Sequence, residues 1–353
     1  MRLKKRILVA PLNWGLGHAT RCMPIINALI DYDFEPVIAS DGDALKLLKK
    51  EFSNLQHIEL PAYGIEYPRK GQHLKLKLLK HLPKLLKAIK AEKKVVETII
   101  KAYNIDGIIS DNRFGVFYKD IPSVYITHQL NVLSGNTTWI SSKTHQHVIK
   151  KFDECWIPDL ENADNLSGQL GHLEHSIIPT KYLGILSRFN VVKENKVYDL
   201  MVLLSGPEPQ RSILENHLLK QVQDYKGTVL FVKGIIETIQ TKEIINNITI
   251  INYLTREALE IAINKSDIIL SRSGYTTILD LAKLGKKAFF IPTPGQFEQE
   301  YLANRLSKKG IAPYCAQDKF TIDKLDLLKD YTGFNTLETS PIPKTLFGLF
   351  EGE

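Results

Sequence analysis

The sequence predicts an α/β protein of two doubly wound, parallel-sheet domains. Three observations predict it. The chain has 353 residues, more than one compact α/β domain uses and few for three. Short apolar runs rich in β-branched residues alternate with helical patterns, the signature of βαβ units and parallel sheets. That alternation runs twice, once on each side of a polar stretch at 187–196 (SRFNVVKENK).

In the first half, strands are expected near 7–10, 36–39, 105–110 and 123–127, with a further one at 155–157. Helices are expected at about 19–32 and 43–51, and a third helical region follows residue 69, broken or restarted at Pro83. His145-Gln146-His147 falls in a helical pattern where i and i+2 face apart, so these histidines read as surface residues and not as metal ligands. In the second half, strands near 200–204, 228–232, 248–251, 267–270 and 288–291 alternate with helical patterns at about 209–223, 256–264, 276–283 and 297–308. The resulting organisation is one domain over 1–188, a second over 197–330, and a tail over 331–353. The tail's short apolar end, 346–350, either folds back onto the first domain or frays.

Composition narrows the class. Apolar residues at 44% and charged residues at 24% exclude a mostly disordered chain. Cys22, Cys155 and Cys315 lie far apart without a CxxC or Cys/His ligand spacing. That excludes a disulfide scaffold and a zinc ribbon, and fits a reducing cytoplasm. The start, MRLKKR, resembles a signal n-region, but the apolar run at 7–12 is short and contains Pro11, so no targeting segment is expected. No window holds ~20 uninterrupted apolar residues, so no bilayer span is expected.

The net charge of +7 is local. Residues 69–101 hold eleven Lys and Arg against Glu92 and Glu97, a net of +9 in that segment alone. Positions 78, 82, 85, 86 and 89 form one apolar stripe there, with lysines around it. One reading is a core-facing helix with a solvated basic back. The sharper one is a membrane-surface face, since anionic lipid attracts each Lys or Arg by about 1 kcal/mol. The segment has no aromatic interleaving and no reader motif, so nucleic acid is not an expected partner.

Open parallel sheets bind ligands at the carboxyl ends of their strands, and two such domains facing each other would enclose a cleft. Attention therefore falls on the loops after strands. The first is Asn13-Trp14-Gly15-Leu16-Gly17-His18-Ala19-Thr20-Arg21. Gly15 and Gly17 allow a tight turn and close approach to a ligand, and the helix start behind them favours an anion. Thr20 occupies the third glycine position of G-x-G-x-x-G, so this is no dinucleotide fingerprint. His18 is placed to act as a general base near neutral pH. Asp111-Asn112-Arg113 follows another apolar strand. Asp111 could orient His18 or bind acceptor hydroxyls, and the alternative is a helix cap or structural salt bridge. Arg113, and His128-Gln129 after the next strand, are candidate acceptor contacts. In the second half, Ser271-Arg272-Ser273-Gly274-Tyr275-Thr276-Thr277 supplies hydroxyls, an Arg and a helix start suited to a diphosphate. Asp280 lies one helical turn on, where a carboxylate can accept from a ribose diol. Residues 291–299 (IPTPGQFEQ) form a further loop-to-helix turn whose Gln296 and Gln299 can read hydroxyls.

The string Ser271-Arg272-Ser273-Gly274…Asp280…Gly285…Ile291-Pro292…Gln299…Asn304 resembles the donor-binding half of glycosyltransferase family 28. Members of that family glycosylate lipid-linked peptidoglycan precursors and diacylglycerol. Gly15-Leu16-Gly17-His18 is similar to the family's amino-terminal glycine-rich loop, and Leu204-Ser205-Gly206 stands where a second one opens the other domain. The resemblance is strongest over 250–310 and collinear over most of the chain. It implies a GT-B fold, two Rossmann-like parallel-sheet domains facing across a cleft, with the acceptor in the first and a nucleotide sugar in the second. It also implies inversion by direct displacement without a metal or other cofactor. By motif position, Gly15, Gly17, Ser205, Gly206, Arg272, Ser273, Gly274, Thr276 and Thr277 approach the donor, and Asp280 the ribose. Gln296 or Gln299 meets the sugar, Leu254 the uracil edge through its backbone, and Arg211 a phosphate. Asp41-Gly42-Asp43 reads as a helix cap. There are departures: Asp280 replaces the usual Glu, the spacing from Gln299 to Asn304 is two longer, and Pro207 and Pro209 interrupt the second glycine loop. These leave the sugar open.

The leading expectation is an inverting, metal-independent glycosyltransferase. His18 and Asp111 would be its catalytic pair, a UDP-sugar its donor and a sugar or lipid-linked molecule its acceptor. The protein would be cytoplasmic and peripheral at the inner face of the plasma membrane through 69–101. Two alternatives stay open: a UDP-sugar hydrolase or 2-epimerase on the same scaffold, since the string from Gly15 to Arg21 is also similar to a UDP-sugar hydrolase, or a non-catalytic UDP-sugar-binding protein.

Overall fold

The structure is a computed structural model and describes residues 4–63, 74–206, 208–235, 237–335 and 341–352, with the main chain alone over 74–82. Residues 69–73 of the basic segment, and Pro207, lie outside the described residues. The chain divides into two compact units. One holds the described residues of Met1–Ile65, Lys75–Arg188 and Thr339–Glu353, and the other those of Phe189–Glu338.

The first unit runs β1 (Arg6–Pro11), α1 (Gly17–Asp31), β2 (Glu35–Ser40), α2 (Gly42–Glu51), β3 (Gln56–Glu59), α3 (Leu74–Tyr103), β4 (Gly107–Asp111), β5 (Ser123–Ile126), α4 (Thr138–Ile149), β6 (Glu154–Ile157) and β7 (Thr180–Tyr182). The strands form one sheet in the order β3-β2-β1-β4-β5-β6-β7, every pair parallel. Helices cover both faces, which is why the central strands are continuous apolar runs and not alternating ones. Ile7, Val9, Ile109 and Val124 pack with α1 and α2 on one side. Leu8, Ala10 and Ile108 pack with Val96 and Ile99 of α3 on the other.

Two expectations change here. The helical region expected to break at Pro83 is a single 30-residue helix that runs through it. One missing N–H donor does not end a helix whose later turns are buried in the core. His145, read as a surface residue, is buried: its Nε2 meets the Tyr125 hydroxyl (2.9 Å) and its Nδ1 the Gln129 carbonyl (2.8 Å).

The second unit runs β8 (Tyr198–Leu203), α5 (Gln210–Gln221), β9 (Val229–Val232), β10 (Lys242–Ile245), β11 (Ile248–Ile251), α6 (Arg256–Asn264), β12 (Ser266–Ser271), α7 (Tyr275–Leu284), β13 (Lys287–Phe290) and α8 (Phe297–Lys308). Its sheet has the order β10-β11-β9-β8-β12-β13, parallel except for the β10–β11 hairpin. The main strands and helices stand where the alternation put them. Three short strands, β3, β7 and β10, were not legible. None is fully buried, so none carries an apolar run.

The expected tail is divided. Thr332 and Phe334 bond to Gly310 and Lys286 of the second unit through their backbones (2.9 and 3.1 Å). The last residues, with α9 (Gly348–Glu351), pack into the first unit. Phe347 and Phe350 are buried there against Trp156, with Phe347 also meeting Phe34. Lys5 Nζ reaches the Phe350 carbonyl at 2.6 Å. Among the described residues no helix is long and apolar enough to cross a membrane.

Candidate active site

In the first sheet the strand order reverses between β1 and β4. The chain runs outward from β1 to β3 on one side, and from β4 to β7 on the other. Loops leaving the carboxyl ends of two such strands diverge, and the crevice there is where doubly wound sheets bind ligands. The loop after β1 turns at Gly15, whose φ of +75° is a left-handed conformation that glycine adopts without strain. It feeds α1, which opens without a capping side chain. His18, Arg21 and Cys22 follow at i, i+3 and i+4 and share one face of the helix.

That face meets Asp111 at the end of β4. Asp111 is fully buried. Arg21 donates from Nε to its Oδ2 at 2.6 Å and from Nη2 to its Oδ1, and His18 Nδ1 lies 2.9 Å from Oδ1. Arg21 also reaches His18 Nδ1 from Nη2 (2.9 Å) and His128 Nδ1 from Nη1 (3.0 Å). Two histidines, an aspartate and an arginine thus converge from α1, β4 and the loop after β5. Burial works against the charge of Asp111, but Arg21 and His18 outweigh it and hold the carboxyl well below the usual carboxylate range. For His18, burial pushes the imidazole below its ordinary 6.5. Asp111 pulls it back up, Arg21 and His128 push it down, and the balance is downward. Among the described residues Nε2 of His18 has no hydrogen-bond partner.

The second sheet reverses between β8 and β12, so the two loops singled out in the sequence, after Leu203 and after Ser271, leave adjacent strands at that unit's own switch point. Ser205 and Gly206 are exposed, with Gly206 at φ +101°. α7 opens at Gly274 without a capping side chain. Thr276, Thr277 and Asp280 are half-buried on its first two turns, Leu254 is half-buried after β11, and Gln296 is half-buried at the start of α8. Other expected donor contacts are committed within the unit. Arg272 is buried and donates to the Ile291, Pro292 and Gln210 carbonyls (3.0 Å each) and to Gln317 Oε1 (2.6 Å). Ser273 donates to the Gln299 carbonyl at 2.8 Å, and Gln299 Oε1 accepts from Thr293 N at 2.8 Å. Arg211 is held by Glu208, Glu215 and the Lys233 carbonyl. In this structure Arg211 and Arg272 brace loops.

Residues 212–330 match the Glycosyltransferase family 28 C-terminal domain. The second unit carries a glycosyltransferase family 28 domain. Relatives of the chain include an enzyme of Histophilus somni named UDP-N-acetylglucosamine--N-acetylmuramyl-(pentapeptide) pyrophosphoryl-undecaprenol N-acetylglucosamine transferase, 24% identical over 98% of this chain and 95% of the relative. An enzyme of the same name from Haemophilus ducreyi is 23% identical, and the match covers 64% of each chain, just under two-thirds of that relative's length. The solved structure of Acinetobacter baumannii MurG superposes with a TM-score of 0.55 at 15% identity, covering 93% of this chain and 92% of that one. This last likeness shows the fold class, GT-B.

The first unit contains a second buried ionic network that the sequence did not announce. Arg113, expected to contact the acceptor, is fully buried. It donates to Glu92 Oε1 (2.5 Å), Asp41 Oδ1 (2.6 Å) and the Pro61 carbonyl (2.7 Å). Glu92 also accepts from the Tyr63 hydroxyl (2.6 Å) and Gly115 N (2.8 Å). Asp41 stands at the N-cap position of α2, as expected, but its carboxylate does not cap the helix. It accepts instead from Arg113 and from Asn13 Nδ2 (3.1 Å), while Asn13 Oδ1 takes Ala44 N (3.2 Å). The glycine-rich loop is thereby tied through Asn13, Asp41, Arg113 and Glu92 to α3. Gln129 is half-buried, and its backbone N donates to Thr127 Oγ1 at 3.0 Å. Arg21 was the residue missed at the site itself. Its place one turn after His18 on a helix was the available signal.

Proposed function

We propose that the protein is an inverting, metal-independent glycosyltransferase that moves a hexose or N-acetylhexosamine from a UDP-sugar to a hydroxyl of a lipid-linked or glycan acceptor. The observation that carries the reading is the buried Asp111 against His18 at the β1/β4 switch point, in a chain whose other unit is a family 28 domain. His18 Nε2 takes the proton of the acceptor hydroxyl, and the freed oxygen attacks the anomeric carbon from the face opposite the leaving group. The bond from that carbon to the diphosphate oxygen breaks, and UDP departs with the electron pair. Asp111 holds the imidazolium that forms. In the second unit, the start of α7 at Gly274 offers N–H groups and a positive dipole end to the diphosphate, and Asp280 accepts from the ribose. The names of the Histophilus and Haemophilus relatives support UDP-N-acetylglucosamine as the first donor to try and a lipid-linked acceptor. Peripheral membrane contact through the basic segment belongs to the same reading.

The test is a radiolabelled UDP-sugar panel with and without membrane extract, following label into lipid and water-soluble fractions. Label entering lipid only with extract supports the reading. Free sugar or an altered UDP-sugar without extract would replace it with a hydrolase or epimerase. The variant His18→Ala should lower transfer by about 10²- to 10⁴-fold with UDP affinity nearly intact; equal loss of both would remove His18 from the chemistry.

A further inference from the structure

Arg21 touches both histidines and the aspartate of the site, and a guanidinium can only donate hydrogen bonds while a carboxylate can only accept them. Those two rules constrain where protons sit. The Arg21 N–H aimed at His128 Nδ1 at 3.0 Å needs a lone pair there, so the proton of a neutral His128 sits on Nε2. At His18, Nδ1 lies 2.9 Å from both Asp111 Oδ1 and Arg21 Nη2. Arg21 Nη2 already donates to Asp111 Oδ1, and the carboxylate oxygen needs a donor from the ring as well. Nδ1 therefore carries the proton, gives it to Asp111 in a hydrogen bond and leaves the lone pair on Nε2. The adjacent positive guanidinium then opposes a second proton on the ring.

We propose that Arg21 is the positioning residue of this site, ordering Asp111 and setting the two histidines in complementary states, His18 with a lone pair on Nε2 and His128 with a proton on Nε2. One arginine thereby prepares a base and a hydrogen-bond donor from two identical side chains. Used in glycosyl transfer, His18 receives the acceptor proton and His128 donates to a substrate oxygen. That use rests on the function proposed above, whereas the proton positions do not. The charged and titratable groups facing His18 are Arg21 from its own helix, Asp111 from β4 and His128 from the loop after β5. Cys22 stands beside them, 3.5 Å from Asp111 Oδ2. Burial does most to keep His18 unprotonated, and of the charged groups Arg21, the permanent cation, adds most to it while Asp111 opposes it.

The experiment is ¹⁵N-histidine NMR on the full chain across pH 5 to 9, with resonances assigned through His18→Gln and His128→Gln, for the wild type, Arg21→Lys and Arg21→Gln. In the wild type the neutral form of His128 should be the Nε2-protonated tautomer, and His18 should titrate below 6.5. Arg21→Gln removes the charge and should raise the His18 midpoint by roughly one pH unit. Arg21→Lys keeps the charge but not the fork, so it should leave that midpoint nearly in place while His128 loses its single neutral tautomer. A neutral His128 protonated on Nδ1 in the wild type, or the same His18 midpoint with glutamine as with arginine, overturns the proposal. If Arg21→Gln does not fold, the wild-type proton positions still decide. Correct proton positions in a protein that transfers no sugar would count against the proposed function and leave this inference standing.

Discussion

At Asp111, burial alone would favour the neutral acid, yet Arg21 meets both its oxygens and His18 one of them, and the charged form wins. Asp111→Asn keeps the shape and removes the charge that holds the imidazolium. It should cut transfer by about 10²-fold or more, with UDP affinity measured by calorimetry unchanged. The neighbouring Arg113 is a different case, since removing one member of a buried charge network leaves the others unpaired. Arg113→Ala should destabilise the first unit by about 3–5 kcal/mol, measurable by urea unfolding. His145 provides a pH test. Burial pushes its imidazole down from 6.5 to about 4, against the Gln129 carbonyl that pulls it up. The unfolded ring therefore takes up a proton at a pH where the folded one does not. The stability present above pH 6.5 is lost as the pH falls from there towards 4, by roughly 3 kcal/mol over the full interval. His145→Gln should flatten that limb of the stability profile, and an unchanged limb would show that His145 does not cause it.

At the scale of elements, the loop after β1 depends on the start of α2. Gly42 sits at φ +53°, and a Cβ there would lie 2.2 Å from Asn13 Nδ2. Gly42→Ala therefore combines backbone strain with displacement of the residue that bonds both Asp41 and the α2 backbone. Transfer should fall more than UDP binding, since the loop displaced carries His18 while most of the proposed donor contacts belong to the other unit. The last helical turn is a second dependence. Phe347 and Phe350 fill the first unit's core, and a Cβ on Gly107 would come within 2.4 Å of the Phe350 ring. Phe350→Ala should cost about 3–5 kcal/mol in the unfolding of the first unit and leave the second unit's transition in place. Periodicity announced the main strands and helices because each is long or fully buried. It left the destination of the 346–350 run open, because an apolar end says that it must be covered and not by what.

For the whole molecule, charge is unevenly placed. Residues 69–101 carry more net positive charge than the entire chain. On the described part of α3, Lys84, Leu86, Lys87 and Lys90 are exposed, while Glu92, Val96 and Ile99 turn inward. Within the apolar stripe, Leu86 is exposed and Leu85 and Ile89 are half-buried, while the side chains at 78 and 82 lie outside the described residues. The protein should sediment with vesicles containing anionic lipid at low salt and release as salt rises. Reversing Lys84, Lys87 and Lys90 to Glu should weaken that binding by at least 10-fold, with turnover on a water-soluble acceptor unaffected; sedimentation that ignores both salt and the reversals would exclude docking through this face.

The sequence by itself determined the α/β class, the two βα series and the loops that leave the strands at each switch point, because hydrophobic period and glycine placement are local properties of the chain. It also brought His18 and Asp111 forward as a pair. Tertiary structure alone decided which charged residues are held by partners within a unit. Arg113, Arg211 and Arg272 look like ligand cations in sequence, yet each is surrounded by acceptors contributed from distant segments. Arg21, an ordinary helical residue by pattern, sits between two histidines and an aspartate. A buried charge must find its partners wherever the fold brings them, and those partners are not neighbours in the chain.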